Sequence, residues 1–304
     1  MLTALFAVVW SGFFLFRFLN TMLPISCLNV LKFDGERGVE APDLLAVEEP
    51  LEIRLGYGPA ADRQQRSLAV TMRTPGSDED LALGFLLTEG IIENPAQVLS
   101  LKHCMDLGRE ATGNVLRAEL KPEVEVPWPR LERHFYTSSS CGVCGKASIE
   151  SVEATGCSAL PAPRPLLPAD VLTTLPDRLR ARQDVFSHTG GLHAAALFDE
   201  GGQLILLRED VGRHNALDKL IGAAALRGWL PLHDRVLLVS GRVSFELVQK
   251  ALVAGIPLLA AVGAPSSLAV DLAERFGQTL VGFLRDGRFN VYAGAGRVAF
   301  HAFS

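Results

Sequence analysis

The chain has 304 residues, 48% of them apolar, with 29 basic against 34 acidic side chains and a net charge of −5. That length suits one large or two modest domains, each with its own core, and the charge balance gives no global pull toward nucleic acid. The five cysteines, at 27, 104, 141, 144 and 157, are odd in number and irregularly spaced, which fits reduced thiols in a cytoplasm and not a secreted disulfide framework.

Met1 to Leu19 is almost wholly apolar, broken by Thr3, Ser11, Gly12 and Arg17. Such a run has the character of a signal-peptide core or a short membrane anchor. No basic segment precedes it, no small-x-small cleavage site follows it, and its one charge lies near its end. Residues 1–23 therefore read as an apolar leader produced by a start-site artefact, with Met22 opening a more ordinary chain and no membrane attachment expected.

Strand-like alternation runs from Leu44 to Thr74. Glu52–Leu55 and Ser67–Met72 flank a turn with Gly56, Gly58 and Pro59, which predicts a hairpin. Pro75 to Asp80 supplies turn and capping residues for a helix over Asp80–Thr88, stopped by Gly90. Asn114–Leu120 is another alternating strand, and prolines at 122, 127 and 129 mark the loop beyond it. Pro161, Pro163, Pro165 and Pro168 then form a stiff connector. It divides an α+β N-terminal domain, 24–160, from a second domain, 161–304.

After the connector the rhythm becomes α/β. Helices are predicted over Ala169–Gln183, His214–Leu226, Ser244–Ala254 and Ser267–Phe276. Strands are predicted over His193–Phe198, Gln203–Glu209, Arg235–Ser240, Leu258–Val262, Thr279–Phe283 and Phe289–Tyr292. Runs such as Val236-Leu-Leu-Val239 are apolar on both faces, the mark of a sheet covered by helices on either side, so a three-layer α/β/α domain follows.

The most informative chemistry is Thr137-Ser-Ser-Ser-Cys-Gly-Val-Cys-Gly-Lys146, two thiols three positions apart in a glycine- and serine-rich loop. A zinc site would need a second pair, and Cys157 stands alone. A thioredoxin-like dithiol belongs between a strand and a helix of a βαβ unit, whereas this one follows a proline-rich loop. Sulfur carriage needs what is present: one thiolate to attack a donor persulfide and a second thiol to help release the sulfur; Lys146, the only cation within two residues, could lower a thiol pKa. From these residues alone, redox chemistry, chelation and sulfur carriage all remain open.

Other motifs gather at strand-to-helix junctions. Leu207-Arg-Glu-Asp-Val-Gly-Arg-His-Asn-Ala-Leu-Asp-Lys219 places Arg213 and His214 at a helix start, which suits an anion seat and equally a solvated cap. Ser240-Gly-Arg-Val-Ser-Phe-Glu246 and Ser266-Ser267 repeat that position on later strands. Three such junctions on one sheet edge describe a long cleft for a nucleotide-like ligand. In Phe283-Leu-Arg-Asp-Gly-Arg288 two arginines bracket a glycine turn beside an aromatic ring, suited to phosphate and a stacked base; on its own, a basic hairpin turn is more often solvated surface. His188 and His193 lack metal spacing and read as core or cleft histidines.

Together these motifs resemble the formate dehydrogenase accessory sulfurtransferase family, FdhD. The resemblance rests on the Cys141/Cys144 loop, His188-Thr-Gly-Gly-Leu-His193, Asp210–Lys219, Ser244–Lys250, Ala264–Asp271 and Thr279–Arg288, and spans about Leu45 to Tyr292. It implies a cytoplasmic, homodimeric sulfurtransferase. Such a protein takes sulfur from a cysteine desulfurase as a cysteine persulfide and passes it to the molybdenum bis-guanylyl-pterin cofactor for formate dehydrogenase. By position, Cys141 matches the persulfide-bearing residue and Cys144 its partner, while Phe283, Leu284, Arg285, Asp286, Gly287 and Arg288 match the segment that contacts the cofactor. The family's C-terminal domain is similar to the cytidine deaminase fold. A zinc deaminase needs His-x-Glu and Pro-Cys-x-x-Cys on its helices. Here those places read His214-Asn-Ala216 and Gly241-Arg-Val-Ser-Phe245, so zinc-activated water is excluded. A cofactor-binding chaperone and a dithiol oxidoreductase are the alternatives.

Overall fold

A computed structural model describes residues 23–104, 113–129, 131, 160–162, 164 and 166–300. The apolar leader up to residue 22 and the Cys141/Cys144 loop lie outside the described residues.

The chain opens with a hairpin that the sequence reading misses, β1 (Ile25–Phe33) and β2 (Gly38–Ala46), with Ile25 opposite Ala46. Its residues show no two-residue burial rhythm; Leu31 is 71% and Phe33 72% exposed, so alternation could not reveal it.

The expected hairpin follows as β3 (Glu49–Tyr57) and β4 (Gln64–Arg73), joined by β5 (Val98–His103) and β6 (Val115–Leu120) in the order β4-β3-β6-β5. β3 and β6 run parallel. Leu51, Ile53 and Leu55 point to one face of this sheet and are fully buried. They join one core with Leu81, Leu83 and Leu86 of α1 (Asp78–Thr88). Each such burial contributes about 1.5–3 kcal/mol. β5 escapes the alternation reading because a register shift between Val98 and Ser100 breaks its pleat.

Beyond residue 160 the proline-rich stretch is tied down where it is described. Leu160 N–H donates to the Phe276 carbonyl at 3.2 Å, and Arg297 Nη2 donates to the Pro161 carbonyl at 2.8 Å. The short β7 (Leu167–Pro168) pairs with β14 (Val298–Ala299) at the chain's end. Two helices come next, α2 (Ala169–Arg180) and α3 (Asp184–Thr189). The predicted helix to Gln183 thus stops three residues early, and a six-residue helix not expected from sequence follows it.

The main sheet comprises β8 (His193–Phe198), β9 (Leu204–Asp210), β10 (Val236–Val239), β11 (Leu258–Ala261), β12 (Thr279–Arg285) and β13 (Arg288–Ala293), in the order β13-β12-β11-β10-β8-β9. The interleaved helices are α4 (Arg213–Leu226), α5 (Phe245–Val253) and α6 (Ser267–Arg275). Alternation sorts the strand side chains into two cores. Ala195, Leu197, Leu237, Val239, Leu259 and Leu280 pack against α4, α5 and α6. Ala194, Ala196, Phe198, Val236, Leu238 and Leu258 pack against Leu172, Leu175 and Leu179 of α2. Helices therefore cover both faces of the sheet.

A belt of buried polar residues joins the two sheets through α1 and α4. Lys250 Nζ lies 2.8 Å from Asp218 Oδ2, 2.8 Å from Thr88 Oγ1 and 3.2 Å from Glu89 Oε1. Lys219 Nζ contacts Asp210 Oδ2 and the Thr74 carbonyl, each at 2.7 Å. Burial presses the Lys250 ammonium toward neutrality, but Asp218 and Glu89 outweigh it and raise its pKa.

Candidate functional site

β10, β11 and β12 run parallel, and β8 runs against both β10 and β9. Strands β9 to β12 consequently end at one edge, where β8 begins with His193 opposite Asp210. The three predicted junctions meet there. Ser240 Oγ accepts the Ala194 N–H at 2.9 Å, Gly263 N–H donates to the Gly241 carbonyl at 3.1 Å, and Phe283 N–H donates to the Gly263 carbonyl at 3.0 Å. A Cβ on Gly263 would stand 2.8 Å from the Gly241 carbonyl oxygen, so the close approach of these loops requires glycine there.

At one end of the edge stands the Phe283–Arg288 hairpin. Asp286 and Gly287 take φ values of 52° and 70° between the paired Arg285 and Arg288. Positive φ at both central residues is the habit of a type I′ Asp-Gly turn. Phe283 is the unusual member, a non-glycine residue at φ 53° within a register shift of β12. The residue is 37% exposed, and the Arg285 guanidinium lies 5.8 Å from the ring centroid. Phe283, Arg285, Arg288, Phe289 and Asn290 line a depression of about 320 Å³. Neither arginine has an ion-pair partner among the described residues. Leu284 behaves differently: it is completely buried in the core on the α2 side, so only its backbone reaches this edge.

The Asp210–Lys219 motif divides between structure and cleft. Asp210, Asp218 and Lys219 are buried in the belt between the sheets. Asn215 Nδ2 donates to the Met72 carbonyl at 2.7 Å and fastens β4 to the edge. His214 Nε2 lies 3.2 Å from Ser244 Oγ and 3.6 Å from Glu246 Oε2. The Glu246 carboxyl is held down at about 2, chiefly by His214, against the cost of its own burial. Arg213 is left with its Nε buried and without a hydrogen-bond partner.

His193 sits between these groups, its Nδ1 3.2 Å from where a Cβ on Gly241 would stand. Burial first, then the charges of Arg213 and His214, push its pKa below 6.5, while Asp210 pulls the other way. His193 and Ser240 also border a cavity of about 520 Å³ reached from the same edge. Arg180 and Gln183 line it too, and sequence reasoning missed both; they lie in a loop and helix end with no motif around them. His188 is exposed, its Nδ1 2.7 Å from the Asp184 carbonyl.

Among the described residues no group of three His, Cys, Asp or Glu side chains is placed to hold a metal, and no helix is long and apolar enough to cross a membrane. Cys27 and Cys104 are free thiols.

Comparison with known proteins adds a family. The family model described as the FdhD/NarQ family matches residues 46–299. The chain is 54% identical over 264 residues to a protein of Streptomyces coelicolor named sulfur carrier protein FdhD, covering 86% of this chain and 91% of the relative. It is 50% identical over 278 residues to the protein of the same name from Mycobacterium tuberculosis, covering 89% of this chain and 97% of that one. Among solved structures it resembles one described as a formate dehydrogenase accessory protein from Desulfotalea psychrophila. The TM-score is 0.69 at 23% identity, over 91% of this chain and all of the other, a likeness of fold. The chain belongs to the FdhD/NarQ family.

Proposed function

We propose that this protein is a sulfur carrier in the maturation of a formate dehydrogenase. Its curated relatives are named sulfur carrier proteins, and its sequence carries Cys141 and Cys144 in a Gly- and Ser-rich stretch. In the transfer, the Cys141 thiolate attacks the terminal sulfur of a donor persulfide on a cysteine desulfurase. The donor's S–S bond breaks, its thiolate leaves, and Cys141 carries an S–SH group. Cys144 then attacks the inner sulfur of Cys141, forming a disulfide and freeing hydrosulfide for the acceptor.

The acceptor in this reading is the molybdenum bis-guanylyl-pterin cofactor as substrate, with its guanylyl end at Phe283–Arg288. The observation that carries this is Phe283. A ring held in left-handed backbone conformation, beside two arginines without an ion-pair partner among the described residues, is strain of the kind found at functional sites. Stacking on the ring and bidentate pairing by the arginines would recognise a guanine and its phosphates. Residues 24–160 and 161–304 act here as two domains. The second belongs by this reading to the cytidine deaminase type, supported by the β13-β12-β11-β10-β8-β9 order with helices on both faces. The protein works in the cytoplasm as a homodimer. Cys141→Ala is expected to abolish formate dehydrogenase maturation with the fold retained; full maturation by that variant would refute the reading.

A further inference from the structure

The cavity of about 520 Å³ at the His193 end of the edge has a wall of donors. Gln183 is 5% exposed. Its amide stands beside the Glu209 carboxylate and lowers that group's pKa as a donor, while no hydrogen bond of ordinary geometry reaches its Nε2. The Arg180 guanidinium stacks on Phe186 at 4.1 Å and has no ion-pair partner among the described residues. Ser240 Oγ spends an acceptor site on Ala194 N–H, which leaves its own O–H to donate. His193 adds a ring N–H, and the charge of Arg213 reaches the His193 ring. Asp177, exposed, is the one carboxylate on the lining. A buried amide N–H left unpaired costs about 1–3 kcal/mol unless something accepts from it. The amide has two N–H groups, and the one not turned to Glu209 is free for a ligand oxygen, which the Arg180 charge favours as an anion.

We infer that this cavity is a second anion seat, built to take a tetrahedral phosphoryl group between Gln183, Arg180, His193 and Ser240. Phe283 lies three strands away along the sheet edge, about 14 Å at ordinary strand spacing, so the seat is separate from the hairpin depression. It deepens the proposed function, on which the ligand's identity rests: the hairpin takes the guanylyl end, and this seat takes a phosphoryl group of the same cofactor or of a second one.

The test uses the full chain with inorganic pyrophosphate and with GDP as probes, followed by calorimetry and by the His193 ring resonances. Pyrophosphate is expected to bind and to shift those resonances. Arg180→Glu and Gln183→Leu, each checked for fold by circular dichroism, are expected to weaken pyrophosphate at least about tenfold. Arg285→Glu should leave the pyrophosphate-induced shift of the His193 resonances unchanged while weakening GDP. If pyrophosphate fails to bind, or binds equally to the Arg180 and Gln183 variants, the seat is overturned. If instead pyrophosphate behaves as expected but Arg285→Glu leaves GDP unaffected, the seat stands and the hairpin reading falls. Loss of GDP affinity in the Arg180 variant would assign the seat to a nucleotide phosphate; retention would assign it to a separate phosphoryl ligand.

Discussion

The carbonyl oxygen of Asp218 lies 1.8 Å from where a Cβ on Gly84 would stand. Gly222 mirrors the contact, since its Cβ would fall 1.9 Å from the Asp80 carbonyl oxygen. Helices α1 and α4 thus meet backbone to backbone, and the two sheets are locked to each other where they cross. The cleft edge is fixed to β4 by the same junction, through Asn215.

Gly84→Ala is therefore expected to force these helices apart. Overpacking of this kind costs about 1–3 kcal/mol, and more where backbone must move. Urea unfolding should show a loss at or above the top of that range. A change within 0.5 kcal/mol, typical of an ordinary surface substitution, would contradict the close crossing.

The buried belt predicts a strong asymmetry. Lys250→Met removes the cation that Asp218 and Glu89 share, and a stranded buried charge costs about 3–5 kcal/mol. Adding Asp218→Leu should recover a large part of that loss, because the more deeply buried carboxylate no longer lacks a partner. A double mutant as unstable as the sum of its singles would refute the coupling.

Phe283→Gly should separate stability from binding. The left-handed backbone costs a non-glycine residue about 1–2 kcal/mol, so the glycine variant is expected to unfold at slightly higher denaturant. It loses the ring, and GDP affinity should fall with it. Unchanged GDP binding would remove Phe283 from the site.

His193 supplies a pH signature. Its native pKa lies below 6.5, so between that native midpoint and 6.5 the unfolded chain holds more protons, and stability rises with pH across that window. NMR titration should place the midpoint under 6.5. Arg213→Ala should raise it only in part, since burial is the larger cause and remains. A midpoint above 6.5 in the intact protein would contradict the geometry.

Much of this fold was legible in the sequence. The apolar runs at Val236–Val239 and Leu258–Ala261 announced a helix-covered sheet, and the Asp-Gly turn announced the last hairpin. Roles within motifs were harder to read. Asp210, Asp218 and Lys219 looked like part of a charged cap, yet their partners Thr74 and Thr88 stand 136, 130 and 145 residues away in the chain. Local spacing carries no trace of such pairings. The first hairpin was invisible because its exposed strands have no buried face to impose alternation. Leu284, which the resemblance places in the cofactor-contacting segment, brings only its backbone to the edge, because adjacent residues of β12 face opposite sides of the sheet and its side chain lies in the core.

The central claim, sulfur carriage at Cys141 and Cys144, is tested most directly by mass spectrometry of the reduced full chain after incubation with a cysteine desulfurase and cysteine. The peptide containing both thiols is predicted to gain one or more sulfur atoms, about 32 Da each, with the gain lost in Cys141→Ala. A peptide that never gains sulfur, under conditions where the desulfurase is active, would contradict it.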